Sequence, residues 1–157
     1  MTRAEELLAA ARAQGARIAT AESCTGGMVG AAITEVPGSS DIFDRGFVTY
    51  SNAAKQAMLG VRAATLAAHG AVSEEVAREM AEGALARSEA GIAVSVTGIA
   101  GPGGSEFQPE GRVCFGLAAA GAGVLTETVD FGPLGRRAVR EAATQHALQL
   151  LLEALGR

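Results

Sequence analysis

Lysine occurs once among 157 residues that carry 12 arginines, tyrosine occurs once, and tryptophan is missing. Two cysteines, Cys24 and Cys114, are too few for a disulfide framework and lack zinc-ligand spacing. No apolar run approaches the roughly 18 residues of a membrane span. The opening Met1-Thr2-Arg3-Ala4-Glu5-Glu6 is acidic where a secretory leader is basic and then apolar. Basic excess is also missing. The net charge is −4, which argues against a face built to neutralise phosphates, so no direct nucleic-acid binding is expected. What remains is 48% apolar and 19% charged residues, enough for a substantial core and one domain over residues 1–157. These features predict a cytoplasmic protein from a reducing compartment.

The scarcity of lysine bears on chemistry. Arginine and lysine serve equally on a solvated surface, but only lysine can give up its proton near neutral pH. Lys55 is therefore either a chance survivor or an amine with a task.

The chain alternates helix and strand. Residues 4–14 read as a short helix stopped by Gly15, and 16–20 as a strand. Glu22 to Gly27 form a tight turn before a small-residue helix. A second strand covers 46–50, and Ser51 or Asn52 caps a helix that carries Lys55. Ser73 caps another, with Glu74 and Glu75 at its positive end. Strands follow at 91–97, 112–119 and 124–131, the last two hairpin-like. A long helix starts near Arg136, with Val139, Ala142, Ala143, His146 and Leu150 as its apolar stripe. The pattern predicts an α/β fold, a three-layer α/β/α sandwich around a mixed, mostly parallel sheet.

Ligands of open α/β sheets bind beyond the carboxyl ends of the strands. The first strand delivers Ser23 there, the second Tyr50 with Lys55 just beyond, the third Thr97 and then Gly98. Three hydroxyls and the single amine thus converge on one edge. The N–H groups of Cys24, Thr25, Gly26 and Gly27 lack helical partners and suit an oxyanion or a phosphate. Ser23 is either a simple helix cap or a nucleophile. As a nucleophile it needs a base, and the two histidines are badly placed: His69 ends a helix and His146 lies on an apolar stripe. Lysine is the alternative base. A helix N-terminus and partial burial both disfavour its ammonium form. Tyr50 is either a proton relay between Ser23 and Lys55 or a boundary aromatic. Cys24 reads as a buried spacer. Arg136, Arg137 and Arg140 form either a solvated face or an anion clamp. The glycines of 98–104 are followed by a strand and lack a Lys-Ser/Thr ending, so neither a P-loop nor a dinucleotide fingerprint is present. No metal-ligand cluster is visible, and neither metal nor cofactor is expected.

Four blocks in order carry a resemblance. Thr20-Ala21-Glu22-Ser23-Cys24-Thr25-Gly26-Gly27, Gly46-Phe47-Val48-Thr49-Tyr50-Ser51-Asn52-Ala53-Ala54-Lys55, His69-Gly70-Ala71-Val72-Ser73, and Thr97-Gly98-Ile99-Ala100-Gly101-Pro102-Gly103-Gly104 resemble the CinA C-terminal domain family. Its standalone members are nicotinamide-nucleotide amidases. Two blocks depart: Leu134-Gly135-Arg136 stands where Gly-Asp-Arg is usual, and Gln108-Pro109-Glu110-Gly111 where Lys-Pro-x-Gly is typical. The resemblance implies deamidation of nicotinamide mononucleotide to nicotinate mononucleotide and ammonia, without the activity of the N-terminal domain found in two-domain relatives. It places the nucleophile on Ser23, the lysine on Lys55 and the tyrosine on Tyr50. Substrate binding is expected at Thr25, Gly26, Gly27, Thr97, Gly98, Arg136 and Arg137. A homo-oligomer is expected. The alternative is a pyridine-nucleotide sensor that keeps the pocket without turnover and acts in competence or DNA-damage responses.

Overall fold

The computed structural model describes residues 1–156. Five strands, β1 (Ile18–Glu22), β2 (Phe43–Val48), β3 (Ile92–Gly98), β4 (Arg112–Ala119) and β5 (Val124–Asp130), form one sheet in the order β2-β1-β3-β4-β5. The β1 strand runs parallel to β2 and β3, while β4 is antiparallel to β3 and to β5. Four strands therefore point one way, although only half of the pairings are parallel.

Six α-helices cover the sheet: α1 (Arg3–Gln14), α2 (Met28–Thr34), α3 (Asn52–Leu59), α4 (Ala63–His69), α5 (Glu74–Ala86) and α6 (Arg136–Ala154). Strand alternation sorts them into two layers. Ile18, Ile92, Val94 and Val96 point to one side and pack with Leu7, Val29, Val139 and Leu148 of α1, α2 and α6. Ala19, Ala21 and Ala93 point to the other and pack with Leu59, Val76 and Met80 of α3 and α5. The second face is built from small residues, so its helices sit close. Gly83 of α5 lies against the Leu59 carbonyl, leaving no space for a Cβ.

The expected sandwich is thus present, with local differences. The first strand begins at Ile18, where parallel pairing with Ile92 starts, since Ala16 and Arg17 only lead in from the Gly15 cap. The second strand runs from Phe43 to Val48 instead of 46–50, which frees the Thr49 and Tyr50 carbonyls from the ladder. The short α4 was not expected, because Arg62 supplies no side-chain cap to announce it. On α6 the fully buried stripe is Val139, Ala143, Ala147, Leu148, Leu151 and Leu152, and His146 and Leu150 sit at its margin.

Candidate active site

The chain leaves β1 toward β2 on one side and returns to β3 on the other. The carboxyl ends of β1 and β3 are therefore the point where strand order reverses, the place where open α/β sheets take ligands. Ser23 occupies that point. Its N–H donates to the Val96 carbonyl at 2.9 Å, and the preceding Glu22 carbonyl accepts from the Thr49 N–H at 2.8 Å. The nucleophile candidate is thereby tied to β3 on one side and β2 on the other.

Lys55 reaches it from α3. The Ser51 hydroxyl caps this helix by accepting from the Ala54 N–H, so Lys55 falls in the first turns and projects back over the strand ends. Its Nζ lies 2.9 Å from Ser23 Oγ, 2.9 Å from the Thr49 carbonyl and 3.4 Å from the Tyr50 carbonyl. The side chain is 1% exposed. No carboxylate pairs with it among the described residues. Burial pushes the amine below its ordinary value of 10.5, with only partial opposition from neighbouring Cys24. These neighbours suit a neutral amine well. In that form two N–H bonds would go to the two carbonyls, leaving the lone pair for the Ser23 hydroxyl; as an ammonium Nζ donates to Ser23 Oγ as well.

Ser23, Lys55, Thr97, Gly98, Tyr50 and Arg136 all line one cavity of about 200 Å³, together with Cys24, Asn52, Ala71, Val72 and Ala100. Thr97 is buried and donates to the Ala71 carbonyl at 2.9 Å, which draws residues 70–73 over the strand ends. Arg136 stands at the mouth, donating to the Gly101 carbonyl at 2.7 Å and to the Tyr50 hydroxyl at 2.8 Å. Tyr50 is thus split between two tasks. Its carbonyl faces the lysine, while its hydroxyl, on a side chain 60% exposed, is held by the arginine instead of bridging Ser23 and Lys55. Burial pushes the Cys24 thiol up to about 11, so its thiolate is scarce at neutral pH.

Other expected residues fall outside the cavity. Arg137 turns to solvent and pairs with Glu141 at 3.0 Å. The Gly26 N–H donates to the Ser23 carbonyl and the Gly27 N–H to Glu22, while the Thr25 hydroxyl also goes to Glu22 at 2.6 Å. These three residues therefore hold the turn, and Gly26 and Gly27 have no N–H to spare for an oxyanion. The Cys24 N–H makes no hydrogen bond to another residue among those described, and it directly follows Ser23. His69 lies 3.7 Å from Glu75. His146 packs on Phe115 with ring centroids 4.6 Å apart and contacts Glu127, so neither histidine reaches Ser23. A larger hollow of about 350 Å³ between β4, β5 and α6 contains no serine, lysine, histidine or cysteine.

Sequence reasoning overlooked two contributors, Glu22 and Thr49, and gave a third, Arg140, as part of a solvated face or an anion clamp instead of a main-chain anchor. Glu22 folds its carboxylate back onto α2, Thr49 supplies a carbonyl to the amine, and Arg140 donates to the Cys24 carbonyl at 3.0 Å from 116 positions along the chain. Only strand alternation hinted at one of them, since Glu22 shares the face of Ile18 that looks toward α2.

A buried amine against a hydroxyl, at the switch point of a mixed sheet, defines an α/β protein with a Ser–Lys dyad. Residues 1–155 match the CinA C-terminal domain, and the chain belongs to that family. It is 54% identical over 153 residues to the nicotinamide-nucleotide amidohydrolase PncC of Escherichia coli (strain K12), covering 96% of this chain and 92% of that protein. It is 54% identical over 146 residues to the CinA-like protein of Chlorobium phaeobacteroides (strain BS1), covering 90% of this chain but only 35% of that longer protein. The crystal structure of the competence/damage inducible protein CihA from Agrobacterium tumefaciens superposes with a TM-score of 0.94 at 47% identity, covering 99% of this chain and 94% of that one. No helix among the described residues is long and apolar enough to cross a membrane. No group of three His, Cys, Asp or Glu side chains there is placed to hold a metal ion.

Proposed function

We propose that this protein hydrolyses the carboxamide of nicotinamide mononucleotide, giving nicotinate mononucleotide and ammonia. The observation that carries the reading is the contact of Lys55 Nζ with Ser23 Oγ at 2.9 Å, with two carbonyls as the amine's only other partners among the described residues. The 54% identity to a nicotinamide-nucleotide amidohydrolase over 96% of the chain supplies the substrate.

The steps follow from the geometry. Neutral Lys55 takes the Ser23 proton as Oγ bonds to the amide carbon. The carbonyl oxygen becomes an oxyanion, for which the Cys24 N–H, bonded to no other described residue, is the nearest main-chain donor along the chain. The Lys55 ammonium returns the proton to the amide nitrogen, the C–N bond breaks and ammonia leaves. Water then gives a proton to Lys55 and attacks the acyl carbon, releasing the acid and restoring the Ser23 hydroxyl. Thr97 and Gly98 shape the floor, and Arg136 at the mouth is the cation for the anionic part of the substrate. Tyr50 serves by its carbonyl to the amine and its hydroxyl to the arginine.

In this reading residues 1–157 are one catalytic domain, working in the cytoplasm as a homo-oligomer, whose mass sedimentation would give. The test is ammonia release from nicotinamide mononucleotide by wild type and by Ser23→Ala. Release by the first and loss of about 10³-fold or more in the second is expected. Tight binding with no ammonia would instead leave a ligand-binding module.

A further inference from the structure

Glu22 is 2% exposed, has no cationic partner among the described residues, and is not needed for any proton transfer above. A buried unpaired carboxylate costs several kcal/mol in lost hydration unless hydrogen bonds replace it. Here four do. Oε1 accepts from the Thr25 hydroxyl at 2.6 Å, the Gly27 N–H at 3.2 Å and the Val29 N–H at 2.9 Å, and Oε2 accepts from the Gly30 N–H at 3.0 Å. A serine or asparagine cap would satisfy this short helix with no buried charge. What the glutamate adds is a closed ring: its main chain is fixed to β2 and its side chain to α2, with Ser23 between the two anchors. From the opposite side, Arg140 of α6 donates to the Cys24 carbonyl at 3.0 Å and to the Thr25 carbonyl at 3.4 Å.

Building on the proposed amidase, we infer that Glu22 is a positioning residue. Its carboxylate locks the Ser23–Thr25 backbone so that the hydroxyl stays on Lys55 and the Cys24 N–H stays beside it, bonded to no other described residue. In Glu22→Gln an amide NH2 replaces one oxygen and opposes an N–H that now has no acceptor. The turn loosens, and displacement of a nucleophile by a fraction of an ångström to an ångström costs about 10- to 100-fold in rate. No hydrogen bond or salt bridge joins Lys55 to Glu22 among the described residues, so the proton acceptor keeps its partners.

The experiment compares wild type, Glu22→Gln and Thr25→Val, the last removing only the hydroxyl that Glu22 holds. Active sites are counted by phosphonylation with an alkyl phosphonofluoridate: Ser23 Oγ bonds to phosphorus, its proton passes to Lys55 and fluoride leaves. Expected are a fall of about 10- to 100-fold in kcat per counted site, a parallel fall in phosphonylation rate, KM within about threefold, and an unmoved pH midpoint of the rate. A purely structural role would lower the melting temperature and the number of sites but leave the rate per site intact, which overturns the inference. Thr25→Val decides the matter if Glu22→Gln does not fold: a fall in its per-site rate supports the inference, and an unchanged rate overturns it. Phosphonylation needs no nucleotide. Wild type that labels at Ser23 but releases no ammonia therefore sinks the amidase reading alone.

Discussion

Replacing Lys55 with arginine separates charge from basicity. Arginine keeps a cation at the end of a long stem, but its guanidinium stays protonated at any pH the fold survives. The wild-type amine is pushed below its ordinary value by burial and lies 2.9 Å from Ser23 Oγ, where in its neutral form it can accept the hydroxyl proton. Loss of a positioned general base costs about 10²- to 10⁴-fold, and here the Ser23 hydroxyl also loses its only side-chain partner among the described residues. A fall of about 10³- to 10⁴-fold in kcat is expected, equivalent to roughly 4–5.5 kcal/mol of barrier. The guanidinium is also larger than the space, since the site is 1% exposed and walled by the Thr49 and Tyr50 carbonyls. Overpacking of that kind costs about 1–3 kcal/mol of stability, so the fold must be checked by circular dichroism. Lys55→Met, which fits the space without a base, serves as the control and should lose activity to the same degree. Ammonia release, coupled to reductive amination of 2-oxoglutarate, reads the rate. Folded Lys55→Arg working within tenfold of wild type would refute the role of the amine.

The pH dependence has a definite sign. Burial lowers the Lys55 value below 10.5, so kcat/KM rises as pH increases through the folded-state value and levels off above it. Between that value and 10.5 the unfolded chain holds the extra proton, so the contribution of this group to stability also rises with pH across the same window. A rate that falls with rising pH in that window would contradict the assignment. Tyr50→Phe removes the hydroxyl held by Arg136 and spares the carbonyl that faces Lys55, so KM should rise several-fold with kcat within about fivefold. A kcat loss beyond about 100-fold would restore the hydroxyl as a proton relay. Gly83→Ala drives a Cβ into the Leu59 carbonyl at the α3–α5 contact that carries Lys55. Thermal melting should show a loss of about 1–3 kcal/mol, or several degrees, and an unchanged melting temperature would mean that the two helices can separate without cost.

The parts of the site that lay in local grammar were visible in the sequence. Strand, turn and helix signals put Ser23, Lys55 and Thr97 on one sheet edge, and the hairpin of β4 and β5 followed from alternation. What escaped depended on where side chains end. Nothing local distinguishes Arg136, at the cavity mouth, from Arg137, paired with Glu141 in solvent, because one residue of helix turns the side chain by about 100°. The four-bond grip of Glu22 and the reach of Arg140 to the Cys24 carbonyl need the packed helices α2 and α6 before they exist. The strand boundary at Val48 mattered more than its two-residue error suggests. By ending there, β2 leaves the Thr49 and Tyr50 carbonyls free to hold the amine.

The most direct measurement is the mass of the peptide containing Ser23 after acid quench during turnover of nicotinamide mononucleotide. A nicotinate-mononucleotide ester on Ser23, lost in Lys55→Arg, is the expected result. Steady ammonia release from wild type with no adduct on that peptide, together with full activity in Ser23→Ala, would contradict nucleophilic attack by this serine.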